Sequence, residues 1–600
     1  MFLITTADQK FWKTKGKILF LGEWCKLFSK KASWEHLSYE VLPYHWDDRQ
    51  KLYKDYLYLN RIYEHILSQL ANQLNKLHAV DHSLRYWRII IGPWLYFFIN
   101  IFFDRYQSIL KAEKSGKVTH TIIGKYDKTQ WVLRDNLELA RYFDSDEYNH
   151  FLFSQIIERK KKIPFDRLNV TSGIHKIEIK KSPKKSTSFS FKEFLKKLIR
   201  GYSCYIPNYF NRVILVSSAL YPKDQFRLQL SMGQLPYFPP PVILPPESKL
   251  DFDFRAKLTL RSCHNKFEKM LAQMIQEQMP SVYLEGYHEM NQRALNVYPK
   301  KPRLIFTSIS FEVDEGFKFW SAYHVDHGCK FVESQHGSNY GLNLWNQEEE
   351  HQIKIFDKFY TWGWQSDKHK NTKPLSAAKF NIVKSVVKPK YDGRILMTTF
   401  AFPRFAYKMF SVPVSSTGMI SYLNDQFNFV RSLTDEVRKL LLVRLFPNDR
   451  NWNQIERWSQ EFPEIEYYKG YSISMFNQMN ESRLLVTAPN GTPCLEAFVA
   501  NFPTVLLWNP NHFELRPSAQ PYYDVLRQAG ILHDNTESAA AKMNEIYHDT
   551  KTWWQQPEIQ EAKNKFCSRF ARTSKNWMKE WRMELFGLAK VDKQINGRRQ

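Results

Sequence analysis

His336 is the residue in this chain best placed by its neighbours to move a proton. It stands in Ser334-Gln-His-Gly-Ser-Asn-Tyr-Gly341, directly after the apolar run Lys330-Phe-Val332. A short strand that ends in histidine and glycine presents a side chain at the carboxyl edge of an open sheet, where ligands bind. Gly337 and Gly341 allow a sharp turn and a close approach to a ligand. The imidazole can act as a base toward a hydroxyl or as a donor to a phosphate oxygen, and both roles stay open. A second set lies around residue 490. Arg483–Thr487 reads as a strand, Ala488–Pro493 as a loop, Cys494–Ala500 as a helix and Phe502–Trp508 as another strand. Asn490, Gly491 and Thr492 then stand at a helix N-terminus, where free N–H groups and the helix dipole favour an anion. Glu496, read on the first turn of that helix, can accept hydrogen bonds from ribose hydroxyls. Arg444 closes an apolar strand and can clamp a phosphate, with Arg516 a further cation from the same half. Asp314 and Glu315 are candidate bases from the other half. Each has a structural reading too. Asp314 and Thr492 can cap helices, Glu496 can complement a dipole, and Arg444 can pair with an acidic neighbour.

Strands alternating with helices must carry these residues. Strands are expected at Lys17–Leu21, Val213–Ser217, Arg303–Thr307, Lys330–Val332, Arg394–Thr398, Leu440–Arg444 and Ile465–Tyr468, besides the unit around residue 490. Helices are expected over residues 50–80, 252–278, 314–327, 415–439 and 537–585. Ile89–Phe103 is strongly apolar but only fifteen residues long, short of the roughly 20 that a membrane span needs, so it reads as a buried helix entered through Pro93. Leu235–Pro246 is too rich in proline for a helix and is expected to run extended. A linker-like stretch at 373–392 separates two α/β series. The expected organisation is an N-terminal Rossmann-like, acceptor-side domain over 1–390 and a nucleotide-binding Rossmann-like domain over 391–585. A helical and basic insertion interrupts the first at about 174–300, and 586–600 form a frayed tail.

The run Thr487-Ala-Pro-Asn-Gly-Thr-Pro-Cys-Leu-Glu-Ala497, followed by Asn501-Phe-Pro-Thr-Val505, resembles the nucleotide-binding end of GT-B glycosyltransferases. Leu21–Cys25, Arg85–Trp94, Asp314–Trp320, Gln335–Gly337, Thr361–Trp364 and Ala519–Tyr523 are similar to segments of a bacterial transferase family found among surface-polysaccharide genes. The likeness runs to about residue 570. It implies two Rossmann-like domains facing a central cleft, with C-terminal helices that cross back onto the first. The His-Gly pair resembles the motif of poly(glycerol-phosphate) transferases. Asp314-Glu-Gly316 loosely resembles the acidic motif of transferases that use CMP-activated sugars, but their His-Pro motif is absent, since glycine follows His336.

Composition narrows the partners. No GxGxxG or P-loop pattern occurs, which weighs against dinucleotide oxidoreductases and P-loop NTPases. The six cysteines are scattered without CxxC spacing, which fits a reducing compartment, and the opening Met1-Phe-Leu-Ile4 is soon followed by charge, unlike a secretory signal. A cytoplasmic protein is expected. No metal and no cofactor are expected; a nucleotide-activated donor enters as substrate. The formal net charge of +25 calls for anionic partners. Zinc-finger spacing and RNP aromatics are lacking, so a nucleotide donor and an anionic membrane face are expected rather than nucleic acid.

These readings converge on a transferase that moves a sugar from a nucleotide-activated donor to a surface glycan or glycolipid, peripheral to the inner membrane. A polyol-phosphate transferase and a non-catalytic assembly protein of GT-B shape are the alternatives. Residues 174–201 carry nine lysines and arginines against Glu178 and Glu193, with an apolar stripe of Phe191, Phe194, Leu195, Leu198 and Ile199. That is the composition of an interfacial amphipathic helix, and also of a surface helix packed on its own domain. Changing Lys192, Lys196 and Lys197 to glutamate is expected to release the protein from anionic vesicles, each lysine being worth about 1 kcal/mol near such a surface. Turnover on a soluble acceptor should not change. Equal co-sedimentation of both forms with vesicles at physiological salt would return the segment to an ordinary packed helix.

Overall fold

The computed structural model describes residues 1–174, 210–240, 242–261, 264–413, 416–469 and 473–590. The basic stretch, Ile174 apart, and the last ten residues of the tail lie outside them.

Three all-parallel sheets organise the chain. β1 (Phe2–Ile4), β2 (Ile18–Phe20), β3 (Tyr39–Val41), β4 (His120–Lys125) and β5 (Phe165–Asn169) form the first, in the order β3-β2-β1-β4-β5. β6 (Val213–Val216), β7 (Leu304–Thr307), β8 (Lys330–Ser334), β9 (Lys358–Thr361) and β10 (Thr372–Pro374) form the second, in simple sequential order. β11 (Arg394–Thr398), β12 (Leu441–Leu445), β13 (Glu466–Lys469), β14 (Ser482–Thr487), β15 (Thr504–Leu507) and β16 (Leu532–His533) form the third, in the doubly wound order β13-β12-β11-β14-β15-β16. Residues 1–390 thus hold two sheets and 391–585 one. Every strand expected from the sequence is present; most are short apolar runs covered on both faces, as parallel strands must be, while the edge strand β13 leaves Glu466 exposed. β1, β3, β4, β5, β9, β10 and β16 carry weaker patterns and are defined by pairing alone; the opening Phe2-Leu-Ile4 is the central strand of the first sheet.

Two long helices join the first two sheets. Arg49–His78, capped by Asp48 accepting from the Lys51 amide, buries Leu52, Leu59, Ile66, Leu70 and Leu74 along one stripe. Leu84–Lys114 is long and apolar enough to cross a membrane by length and composition, yet its most apolar 18-residue stretch is wholly buried inside the protein. It begins earlier than Ile89, because Ser83 caps it by accepting from the Tyr86 amide; Pro93 therefore falls inside the helix rather than at its start. The expected helix over 252–278 is two, Phe252–Ala256 and Lys266–Gln278, because Asn265 caps the second by accepting from the Glu268 amide. Pro557–Phe570 packs on the third sheet's helices. Trp577–Lys590 returns to the second sheet, where Trp581 lies against Phe306 and Tyr360 and donates to the Ser376 carbonyl at 3.0 Å.

Gly92, one residue before the internal proline, is where the Leu84–Lys114 helix is approached most closely. A Cβ there would lie 2.4 Å from the His351 ring and 2.8 Å from the Tyr63 hydroxyl, which are themselves bonded at 2.9 Å. Gly92→Ala is expected to cost about 1–3 kcal/mol through overpacking, read as a lower denaturation midpoint at unchanged m-value.

Candidate active site

The third sheet reverses direction between β11 and β14, and the carboxyl ends of such a pair are where open α/β sheets bind ligands. The loop Ala488–Gly491 leaves β14 at this point, tied by the Ala488 amide to the Thr398 carbonyl. The helix Thr492–Val499 starts on the extended Gly491 without a side-chain cap; Pro493 has no N–H and the Cys494 amide donates to the Gly491 carbonyl at 3.2 Å. Across from it stands the loop after β8. Ser338, two residues from His336, donates to the Asn490 carbonyl at 3.5 Å and so brings the two sequence-derived loops together. Asn490 is buried, its amide oxygen accepting from Tyr523 at 3.1 Å while its amide nitrogen has no partner. Glu496 sits in the second turn of the helix, one turn later than expected, because the helix begins at Thr492. It faces Lys379 at 3.9 Å, and burial, offset in part by that lysine, raises its carboxyl above the ordinary range.

His336 is held by residues that its sequence neighbourhood does not reveal. The Tyr340 hydroxyl lies 3.4 Å from both ring nitrogens and 3.1 Å from Glu348, and Glu348 is 3.6 Å from Nε2. Lys408, from the loop after β11, closes on the other Glu348 oxygen at 2.6 Å. Burial keeps the imidazole below its usual pKa and so neutral at pH 7, with Glu348 pulling the other way and Lys408 and Lys379 reinforcing burial. Burial would push Glu348 up, but the charge of Lys408 and its hydrogen bond outweigh it and hold the carboxylate ionised. Glu312, hydrogen-bonded to Glu348, carries the proton instead; its own burial and then the Glu348 charge raise it well above a normal carboxyl. Glu333, on β8, is fully buried with neither oxygen partnered, and burial, followed by the neighbouring acidic groups Glu312 and Glu348, keeps it protonated.

The run Glu348-Glu-Glu350 shows why this set escapes a reading of sequence. All three open the helix Gln347–Ile355, where acidic residues ordinarily complement the dipole. The helical rotation sends each elsewhere: Glu348 to Lys408 and His336, Glu349 to Arg516 at 3.0 Å, Glu350 to Lys368 and His369. Only the helix's roll about its axis decides which one meets the histidine.

The remaining candidates are engaged in structural bonds. Asp314 caps the helix Glu315–Asp326 by accepting from the Phe317 amide, and its other oxygen accepts from Tyr298 at 3.0 Å. Glu315 is buried against Lys318 at 2.6 Å and Tyr283 at 2.9 Å. Neither is bonded to His336. Arg444 donates to the Ile473 carbonyl at 3.1 Å and to Gln478. Arg516 donates to the Asn343 carbonyl and pairs with Glu349, lining a cavity of about 270 Å³ with Trp364 and His369 that does not reach His336. Trp362 and Trp364 are core residues, both receiving the Gln335 amide oxygen as acceptor, and are not exposed for sugar stacking. Gly341 has φ +73° and a Cβ there would lie 2.4 Å from Trp364, so glycine is required; Gly337 meets nothing nearer than Tyr340 at 3.7 Å.

Fold and site together define a parallel-sheet α/β protein, with a doubly wound third sheet and a loop of the second sheet brought against a loop of the third. The chain belongs to the LIC12162 family of transferases, whose model matches residues 1–585. Among solved structures it is similar to the wall teichoic acid polymerase TagF (10% identity, TM-score 0.30, covering 67% of this chain and 99% of that one). It is also similar to WaaG, a glycosyltransferase involved in lipopolysaccharide biosynthesis (11%, 0.26, 62% and 99%). The UDP-GlcNAc 2-epimerase from Neisseria meningitidis is a third (10%, 0.30, 57% and 87%). Likeness at this level bears on neither substrate nor mechanism. No curated protein matches the sequence.

A buried acid that stays protonated in the native state and ionises on unfolding makes stability fall as pH rises. Glu333 does so from about pH 5 up to its own raised pKa, at about 1.4 kcal/mol per pH unit. Glu333→Gln is expected to remove that slope and to raise the melting temperature more at pH 8 than at pH 5. Parallel pH profiles for the two forms would show that the carboxyl is ionised in the native protein.

Proposed function

We propose that this protein transfers a sugar from a nucleotide-activated donor to a hydroxyl of a glycan or glycolipid, with His336 as base. The observation that carries the reading is the meeting of the neutral His336 loop with the uncapped helix start at Asn490–Thr492. The imidazole takes the proton of the acceptor hydroxyl, whose oxygen bonds to the sugar carbon as the bond to the donor phosphate breaks. The Glu348 carboxylate, 3.6 Å away, stabilises the imidazolium that forms. The departing phosphate is met by the amides at the helix start and by Lys379, and Glu496 is the ribose partner. His336 is preferred to Asp314 and Glu315 because their carboxylates are already bonded. Arg444 and Arg516 are bonded to Gln478 and to Glu349 and take no direct part. The acceptor class and a cytoplasmic place at the membrane face rest on the sequence resemblance and the net charge.

A second reading has an observation of its own. Two lysines, Lys379 and Lys408, bear on His336. Two ammonium groups beside the imidazole also suit transfer of a polyol phosphate, in which the acceptor oxygen attacks phosphorus as the bond to the leaving nucleotide phosphate breaks.

His336→Ala is expected to lower turnover by about 100-fold or more, the scale of lost general acid–base catalysis, with little change in melting temperature. In His336→Gln the amide still donates to phosphate but takes no proton, so recovery there would favour a phosphate-binding role. Near-normal turnover in a folded His336→Ala protein would remove the histidine from the mechanism. Thermal-shift titration with CDP, CMP, UDP and GDP identifies the donor base, a ligand at 100 times its dissociation constant adding about 2.7 kcal/mol. Glu496→Gln should weaken that nucleotide without unfolding the protein. No shift with any nucleotide would favour a non-catalytic assembly role.

A further inference from the structure

The helices Pro222–Ser231 and Trp577–Lys590 lie side by side on one face of the second sheet, although they come from opposite parts of the chain. Leu228 of the first and Trp581 and Leu585 of the second enter one core with Val213, Leu215 and Phe306 of the sheet. A helix that buries one stripe on a sheet exposes the opposite one. On the first helix the exposed stripe is Lys223, Phe226, Arg227 and Leu230, the spacing i, i+3, i+4 and i+7. On the second it is Lys579, Arg582, Met583 and Lys590, again on one side.

Two features distinguish this surface from the ordinary polar outside of a globular protein. Phe226 is 43% exposed, Leu230 49% and Met583 66%. One such side chain needs no explanation, but three on neighbouring helices, set among long basic side chains, mark a contact surface. The second feature is the sorting of charge. Glu580 and Glu584, the acids of the second helix, are turned onto the protein. Glu580 accepts from Ser376 at 2.9 Å, and Glu584 pairs with Lys373 at 2.5 Å and accepts from Tyr360 at 3.3 Å. Asp224, the acid of the first helix, is half-buried. None of Lys223, Arg227, Lys579, Arg582 and Lys590 is in an ion pair among the described residues. A soluble polyanion would engage these cations and leave the apolar side chains in water. An anionic bilayer engages both, its phosphates meeting the cations while Phe226, Leu230 and Met583 enter the acyl boundary. Long basic stems reach back to the headgroups from that depth.

On the reading that the protein works at a membrane face, we infer that the outer faces of these two helices form one docking surface for an anionic lipid bilayer.

Co-sedimentation of the full chain with vesicles of phosphatidylglycerol and phosphatidylcholine at physiological salt tests it, against vesicles of phosphatidylcholine alone. The parent should bind the anionic vesicles and not the neutral ones. Changing Arg227, Lys579 and Arg582 to glutamate should lower the partition constant about 100-fold or more, at about fivefold per cation near such a surface. Changing Lys15, Lys17 and Lys162, exposed lysines about the first sheet, to glutamate alters the net charge equally and should lower it far less. Changing Phe226, Leu230 and Met583 to serine should weaken binding about tenfold or more. Residues 174–201 stay unaltered in every variant, so a loss belongs to the face. All the altered side chains are exposed, and matching melting temperatures show that the variants fold. A parent that leaves anionic vesicles unbound would sink the membrane-face reading and the proposal together. Binding by the parent and equally by the Arg227, Lys579 and Arg582 variant would overturn the docking surface alone, and leave the face to an acidic protein or to the chain's own residues 175–209. Equal losses in the two charge variants, or full binding by the serine variant, would reduce the contact to net charge and overturn it too.

Discussion

One largely buried ion pair organises the candidate site. Glu348, on the helix Gln347–Ile355 that precedes β9, and Lys408, in the loop after β11, meet at 2.6 Å beside His336. Taking two charges out of water is expensive, so such a pair adds little net stability, but removing either partner strands the other and costs about 3–5 kcal/mol. The pair therefore acts as a register mark. It fixes how the loop after β11 seats against the helix Gln347–Ile355, and with it the position of Tyr340 and the imidazole. It also decides the protonation of the neighbourhood. Once Lys408 holds Glu348 ionised, Glu312 and Glu333 cannot also be charged at such close quarters, and both retain their protons.

The surrounding architecture delivers those loops to one place. In each sheet all strands run parallel, so every strand ends at the same edge and every loop that follows carries its side chains there. The second sheet contributes the loops holding Glu312 and His336; the third contributes those holding Lys408 and Asn490. Contacts away from the site keep the halves in place. Arg49 of the first long helix forks onto Glu514 through Nε and Nη2, Arg516 pairs with Glu349, and Arg404 reaches Asp146 at 2.6 Å. A forked guanidinium–carboxylate bond is geometrically specific, which suits a joint that must hold loops within hydrogen-bond reach.

Charge is distributed with similar economy. The overall excess of lysine and arginine puts none of them in the lining of a cavity beyond β15, whereas lysines bear directly on His336.

Much of this was legible in the chain itself. Short apolar runs separated by helical periodicity determine parallel α/β sheets, because only strands covered on both faces read that way. The position of His336 after β8 and of Asn490–Thr492 at a helix start followed from strand–loop–helix order, a local property. What local order does not contain is the roll of a helix or the seating of a distant loop. Glu348, Glu349 and Glu350 are equivalent in sequence, and their separate partners arise only when the helix docks. Lys408 lies 72 positions from His336 and is brought to it by the third sheet. Asp314 and Glu315 had the right chemistry, yet tertiary contacts with Tyr298, Tyr283 and Lys318 occupy them, while Glu312, on the preceding helical turn, is bonded to Glu348. Strand order and motif spacing are written in nearest neighbours; which carboxylate meets which cation is decided by packing, since burial sets the strength of charge interactions and only the folded chain determines burial.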